Sequence, residues 1–251
     1  MSKKSELDKY YTKPSIAEMC YNSVKHLAGA WVEPSAGDGV FLDLLPNGSI
    51  GYDISPESEN VVKKDWFTVG SINGSVIGNP PFGKNSSLAV KFFNHAADLH
   101  SPYICFILPR TFRKDSIQNR LDPHYHIILD IDIPPDSFLL DGESYDVPCC
   151  FQVWERRDSK RRKERQDNFL FEVVNEGHYD FLVRRVGGRA GQIVESGASS
   201  STYKIKSKID VELLKALFHD SLEDIKKVRD NTAGVRSISE KELFKILKGR
   251  L

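Results

Sequence analysis

The sequence predicts an α/β fold: a seven-stranded mixed sheet with helices on both faces, followed by a small C-terminal α+β appendage. Three observations predict it. Apolar runs of strand length alternate with helix-length segments through residues 1–155. A glycine-rich turn, Glu-Pro-Ser-Ala-Gly-Asp-Gly at residues 33–39, leaves the first of these runs. Polar residues close four successive runs, at Glu33, Asp53, Asp65 and Asn79, where ligands of open α/β sheets bind. The composition shifts at residues 156–166, so the expected division is 1–155 and 156–251.

Taken in order, Lys9-Tyr10-Tyr11-Thr12-Lys13-Pro14 leads into an amphipathic helix over residues 15–27. Thr12 reads there as the helix N-cap, with Pro14 in the first turn. Residues 29–32 form the first strand, and residues 40–45 read as a helix opened by the glycine-rich turn. The turn is not the dinucleotide fingerprint, whose three glycines stand at other spacings. Glu33 and Asp38 would also oppose a pyrophosphate; two carboxylates suit a cationic ligand. Residues 49–54 give a second strand ending in Asp53, whose carboxylate can accept two ribose hydroxyls. Residues 61–67 give a third, short strand ending in Asp65.

The fourth strand, residues 75–78, runs into Asn79-Pro80-Pro81-Phe82. A residue before proline is pushed towards extended geometry, and each proline fixes its own φ and lacks an N–H. The strand end is therefore stiff, with an amide side chain, a free backbone carbonyl and an aromatic ring held close together. That grouping suits a planar amine. The Asn79 side-chain oxygen and the Pro80 carbonyl can accept its two N–H bonds while Phe82 stacks on its ring.

Motif and turn together resemble the S-adenosylmethionine-dependent amino-methyltransferases that act on adenine, a family carrying Asn-Pro-Pro-Phe or Asn-Pro-Pro-Tyr at the active site. The resemblance spans residues 9–154 and implies a Rossmann-like class I methyltransferase fold. It implies S-adenosyl-L-methionine as cofactor and no metal. Tyr11 and Thr12 would close over the cofactor's methionine end; Glu33, Ser35, Ala36 and Gly37 would form its loop. Asp53 would hold its ribose, and Asp65 its adenine with Trp66 or Phe67 packing nearby. Asn79, Pro80, Pro81 and Phe82 become the catalytic residues, Asn79 also bordering the cofactor. The implied reaction is methyl transfer to the exocyclic N6 amine of adenine in nucleic acid, DNA ahead of RNA. Three rivals stand beside it, the last from a different class. A cytosine amine is one, but enzymes acting on it usually open the motif with Ser or Asp, so Asn79 disfavours it. A protein glutamine-amide methyltransferase would carry Asn-Pro-Pro-Tyr, against which Phe82 and a basic stretch stand. A catalytically dead nucleic-acid-binding subunit would lack the acceptor or the acids, all of which are present.

Beyond the motif, residues 87–99 read as a helix, 103–109 as strand five, and 126–131 and 149–154 as strands six and seven. By resemblance, the loop at residues 132–147 faces the target, and Phe138 is a second stacking face for an extruded base. Residues 156–165 hold seven basic residues against two acidic ones; Lys160, Arg161, Arg162 and Lys163 are candidate phosphate contacts. In the tail, residues 168–174 and 179–186 alternate like strands. Residues 211–218 and 240–247 read as helices, the latter capped from Ser237 or Ser239. Arg184, Arg185 and Arg189 offer further contacts for nucleic acid.

Composition narrows the partners. With 35 basic and 35 acidic residues among 251, the formal net charge is zero, so attraction to a polyanion has to be local. Cys20, Cys105, Cys149 and Cys150 show neither zinc-ligand spacing nor a disulfide framework. No eighteen-residue apolar stretch and no N-terminal signal core exist, which reads as a cytoplasmic or nuclear protein with no membrane partner. Nothing in the sequence indicates a protein partner.

Overall fold

The computed structural model describes residues 10–27, 29–140, 142–162, 167–232 and 235–251. The chain divides into two compact units, Met1–Lys163 and Glu164–Leu251. The sequence expects an edge at residue 156; the first unit keeps the start of the basic stretch. There the Arg157 and Arg161 N–H groups donate to the carbonyls of His124 and Pro123.

The first unit contains β1 (Tyr11–Thr12), α1 (Pro14–Val24), β2 (Trp31–Glu33), β3 (Ile50–Asp53), β4 (Val62–Lys63) and β5 (Ser75–Gly78). There follow α2 (Ser87–Asp98), β6 (Tyr103–Pro109), α3 (Asp115–Gln118), β7 (Tyr125–Asp132), β8 (Phe138–Leu140), β9 (Glu143–Tyr145) and β10 (Cys149–Arg156). Seven strands form one sheet in the order β4-β3-β2-β5-β6-β10-β7. β2 to β6 pair in parallel, and β10 runs antiparallel between β6 and β7. This is the Rossmann-like class I methyltransferase fold.

Alternation along the central strands builds two cores. Ile104, Phe106 and Leu108 of β6 face α2, together with Val76, Trp154 and Phe93. Cys105 and Ile107 face α1, together with Trp31, Ile77, Phe151 and Val153. Strands buried on both faces read as unbroken apolar runs, which is why β5, β6 and β10 are conspicuous in sequence. Phe93 anchors the first core edge-on to Tyr125 and Trp154, at ring separations of 5.6 and 5.5 Å. Burying one such ring is worth about 1.5–3 kcal/mol.

Four expectations change. Residues 40–45 form no α-helix, only a 3-10 turn over Leu42–Leu44. Pro46 holds Leu45 extended (φ −81°, ψ 152°) and supplies no N–H, so the helix cannot propagate. The third strand is only Val62–Lys63; Asp65 instead caps a 3-10 turn by accepting the Phe67 N–H. Thr12 is not the N-cap of α1: Lys13 holds that position without a side-chain bond, while Thr12 belongs to β1. Finally, residues 132–147 are not all loop. They contain the β8–β9 hairpin, which pairs with β1 as a separate three-stranded sheet.

The second unit has a four-stranded antiparallel sheet, β11 (Phe171–Val174), β12 (Phe181–Arg184), β13 (Ile193–Val194) and β14 (Thr202–Ser207), in the order β11-β14-β12-β13. Its core is closed by α4 (Val211–Asp220), α5 (Leu222–Arg229) and α6 (Glu240–Lys248), with Phe171, Ile205, Leu214 and Phe244 among its buried residues. Ser239 and Glu242 form a reciprocal capping box at the start of α6. Among the described residues no helix is long and apolar enough to cross a membrane.

Candidate active site

The strand order reverses between β2 and β5, and in open α/β sheets ligands bind outside the carboxyl ends at such a point. A cavity of about 490 Å³ opens there, a size ordinary for a small-molecule site. Its wall contains Tyr11, Thr12, Glu33, Ser35, Ala36, Gly37, Asp53, Asp65, Trp66, Asn79, Pro80, Pro81, Phe82 and Phe138. The structure thus brings together the residues that sequence selects for cofactor and chemistry, from five separate segments.

The turn after β2 is tied by its own backbone. The Ala36 N–H donates to the Tyr52 carbonyl at 2.9 Å and the Gly37 N–H to Asp53 Oδ2 at 2.9 Å. Asp53 Oδ1 accepts the Ser55 N–H at 2.8 Å, so this carboxylate knits two loops while lining the cavity. Ser35 Oγ donates to the Asn79 carbonyl at 3.2 Å. Gly37 sits at φ +53°, a left-handed conformation that side chains resist, and an added Cβ would lie 3.4 Å from the Tyr11 ring. The Tyr11 hydroxyl donates to Glu57, which holds that ring over the turn.

Glu33 is 2% exposed, and its Oε2 accepts the Leu42 N–H at 3.0 Å. Burial, reinforced by Asp38, Asp53 and Asp43, pushes its carboxyl well above the usual range. Burial also raises Asp38, with added repulsion from Glu57 and Asp43. Among the described residues, the carboxyl groups of Glu33, Asp38, Asp53 and Asp65 line the cavity and no Lys, Arg or His does. Such a wall repels pyrophosphate and calls for a ligand carrying positive charge.

Two aromatic residues follow Asp65. Trp66 is 1% exposed, its indole N–H donating to the Phe92 carbonyl and its ring edge-on to His95, so it forms part of the fixed wall. Phe67 lines the same cavity and is 41% exposed, presenting the more accessible ring.

Asn79 is held from behind. Its Nδ2 donates to Thr12 Oγ1 at 3.1 Å and to the Tyr10 carbonyl at 3.4 Å. A carbonyl can only accept, so the amide is oriented with its nitrogen towards β1 and its oxygen turned away from it. Asn79 Oδ1 is buried and has no hydrogen-bond partner among the described residues. An unsatisfied buried acceptor costs about 1–3 kcal/mol, and Asn79 is a residue of the cavity wall. Phe82 stands next to it, its carbonyl accepting the N–H groups of Leu88 and Ala89 at the start of α2.

The expected substrate contacts are less gathered. Phe138 lines the cavity but is 2% exposed, packed into the core beside α1. Lys160 and Arg162 are exposed. The Arg161 guanidinium instead donates to the carbonyls of Gln118, Leu121 and Asp122 and lies 5.0 Å over the Trp154 ring. Lys163 lies outside the described residues. Because Glu155 pairs with Tyr103 and Cys149 with Pro109, β10 ends where the parallel strands begin. The basic stretch is therefore on the opposite edge of the sheet from Asn79.

Sequence reasoning passed over Tyr10, Ile54, Leu88, Phe92 and Val147 as cavity residues. Tyr10 was legible in principle, since it stands two residues before Thr12 and shares its face in an extended segment. Glu57, the partner of Tyr11, carries no local signal.

No family profile and no curated protein matches the chain. Solved structures with a similar fold include a Pyrococcus horikoshii protein assigned as an RNA methyltransferase, 19% identical, covering 62% of this chain and 90% of its own, with a TM-score of 0.49. A Thermoplasma acidophilum protein is 18% identical, covering 58% of this chain and 90% of its own (TM-score 0.43). A Streptococcus thermophilus protein assigned as a hemolysin is 11% identical, covering 64% and 72% (TM-score 0.43). These likenesses are too distant to bring an activity, a substrate or a partner to this chain.

Proposed function

We propose that the first unit transfers a methyl group from S-adenosyl-L-methionine to the exocyclic N6 amine of adenine in nucleic acid. The observation that carries this reading is Asn79, a residue of the cavity wall whose buried Oδ1 has no partner among the described residues, beside the carboxyl groups of Glu33, Asp38, Asp53 and Asp65 in the same wall.

The residues fit that cofactor. Its ammonium and sulfonium answer the acidic wall; Glu33 and the turn from Ser35 to Gly37 would hold its methionine end. Asp53 would accept from its ribose, and Asp65 with Phe67 and Trp66 would border its adenine. When bound, it supplies a methyl group on a cationic sulfur. Everything else falls to the protein. An adenine amine is a poor nucleophile because its lone pair is delocalised into the ring. Asn79 Oδ1 and the Pro80 carbonyl would accept its two N–H bonds and turn the lone pair out of the ring plane. Phe82 would stack on the ring and fix its depth. Neither acceptor acts as a base, since the nitrogen becomes acidic only after methylation and can release one proton to water. Orientation of this kind is worth effective molarities of ~10⁵ M or more.

The test is incubation with radiolabelled cofactor and separate DNA, RNA and protein pools, followed by nucleoside and amino-acid analysis. N6-methyladenosine or its deoxy form is the expected product. Label in glutamine, in cytosine or nowhere would overturn the reading.

A further inference from the structure

We propose that Thr12 is a positioning residue for Asn79: its hydroxyl oxygen anchors the carboxamide in the orientation that the Tyr10 carbonyl selects, with the nitrogen held back and the oxygen left for the substrate amine. This rests on the amine-transfer reading and adds to it what holds its acceptor in place.

A carboxamide has two orientations of nearly equal shape. With oxygen outward it receives an amine; with nitrogen outward it would donate to a carbonyl, such as that of a keto base. The neighbours behind the amide decide which orientation prevails. Thr12 Oγ1 lies 3.1 Å from Nδ2 and the Tyr10 carbonyl 3.4 Å. The shorter contact is the anchor. The Tyr10 carbonyl sets the polarity, because a turned amide would press oxygen against oxygen.

The anchor is itself fixed by β-pairing rather than by the lead-in segment alone. Thr12 stands opposite Phe138, and Phe138 opposite Tyr145. The Lys13 N–H adds a further bond to the Ser137 carbonyl at 3.0 Å. Thr12 is 5% exposed, so water competes little for its oxygen. Alternation along β1 sends Tyr11 the other way, where its hydroxyl reaches Glu57 above Gly37. One short strand thus meets the cofactor turn with one residue and the substrate acceptor with the next.

The experiment compares Thr12→Val, which keeps shape and strand preference but removes the oxygen, with Thr12→Ser, which keeps the oxygen. Thr12→Val should lower kcat about tenfold, the usual effect of losing one orienting hydrogen bond. Affinity for S-adenosyl-L-methionine by calorimetry should stay within about threefold of wild type, and Thr12→Ser should restore most of kcat. The Asn79 side-chain amide, identified by its loss in Asn79→Ala, should shift and exchange faster in the NMR spectrum of Thr12→Val. An unmoved Asn79 amide, or a serine variant as impaired as valine, overturns the proposal. So does a cofactor affinity that falls as far as kcat, which would make Thr12 a cofactor contact instead. The NMR readout needs no turnover. An inactive wild type with a shifted amide would leave Thr12 as the anchor and remove the methyl-transfer reading alone.

Discussion

A carboxamide oxygen with no partner and a carboxyl group with no counter-charge among the described residues are costly things to bury, and here they come from adjacent strands. Asn79 comes from the end of β5 and Glu33 from the end of β2. Each yields a prediction. Asn79→Ala should lower methyl transfer by ~10² or more, as when a donor or acceptor aimed at the reacting group is deleted, with cofactor affinity nearly unchanged. Retained turnover would remove Asn79 from the chemistry. For Glu33 the sign is set by burial, which raises its carboxyl. The folded state therefore favours the protonated form. Its stabilising contribution is full below the unfolded carboxylate value near ~4.3 and is lost as pH rises through the raised folded value. A cation seated beside Glu33 favours the charged form, so cofactor binding below that raised value should release a proton, and affinity should weaken as pH falls. Calorimetry in buffers of different ionisation enthalpy reads this directly. Glu33→Gln should abolish the buffer dependence; an identical dependence in both proteins would assign the proton elsewhere.

At the scale of elements, the turn after β2 shows how much one glycine decides. Gly37→Ala would place a side chain at φ +53° and 3.4 Å from the Tyr11 ring, a strain of about 1–2 kcal/mol. It should weaken cofactor binding about tenfold by calorimetry, through the Gly37–Asp53 bond and the Tyr11 cover. Unchanged affinity would mean that this turn does not touch the cofactor. The turn was legible because its backbone demands its composition, with Gly37 at φ +53° and Gly39 at φ +90°. β5, β6 and β10 were legible because strands buried on both faces must be apolar throughout. The elements that escaped are those made by partners rather than by their own residues. β1 has two residues and exists only through its pairing with β8. β9 is Glu-Ser-Tyr, exposed along its length, and carries no apolar alternation to read. Within residues 40–45 the apolar pattern suits a helix, yet a proline one residue beyond the run stops propagation. Thr12 had the chemistry of a cap and the position of a cap; a long-range bond to Asn79 claimed its oxygen instead.

At the scale of the whole molecule, zero net charge makes the placement of basic residues more informative than their number. The cavity wall is acidic, and the exposed Lys160 and Arg162 lie at the far edge of its sheet. β6 alone has seven residues at ~3.3 Å each, so a strand of nucleic acid serving both places must span roughly 20 Å. At ~3.4 Å per nucleotide of one duplex strand, that is about six nucleotides to one side of the target. Substituting Lys160 and Arg162 by Ser should then leave transfer to a short adenine oligonucleotide intact. For longer substrates it should flatten the dependence of log affinity on log salt by ~1.4 on single strands or ~1.8 on duplex, two contacts' worth. Arg161 is left alone in this test, since its guanidinium already holds three carbonyls of the fold and its loss would disturb packing as well as charge. The modified base should be the same in both proteins, because phosphate contacts position a strand without reading it. A salt slope unchanged on long substrates would make the stretch a solvated surface. The phosphate contacts would then fall to Arg184, Arg185 and Arg189 of the second unit, where the same pair of measurements applies.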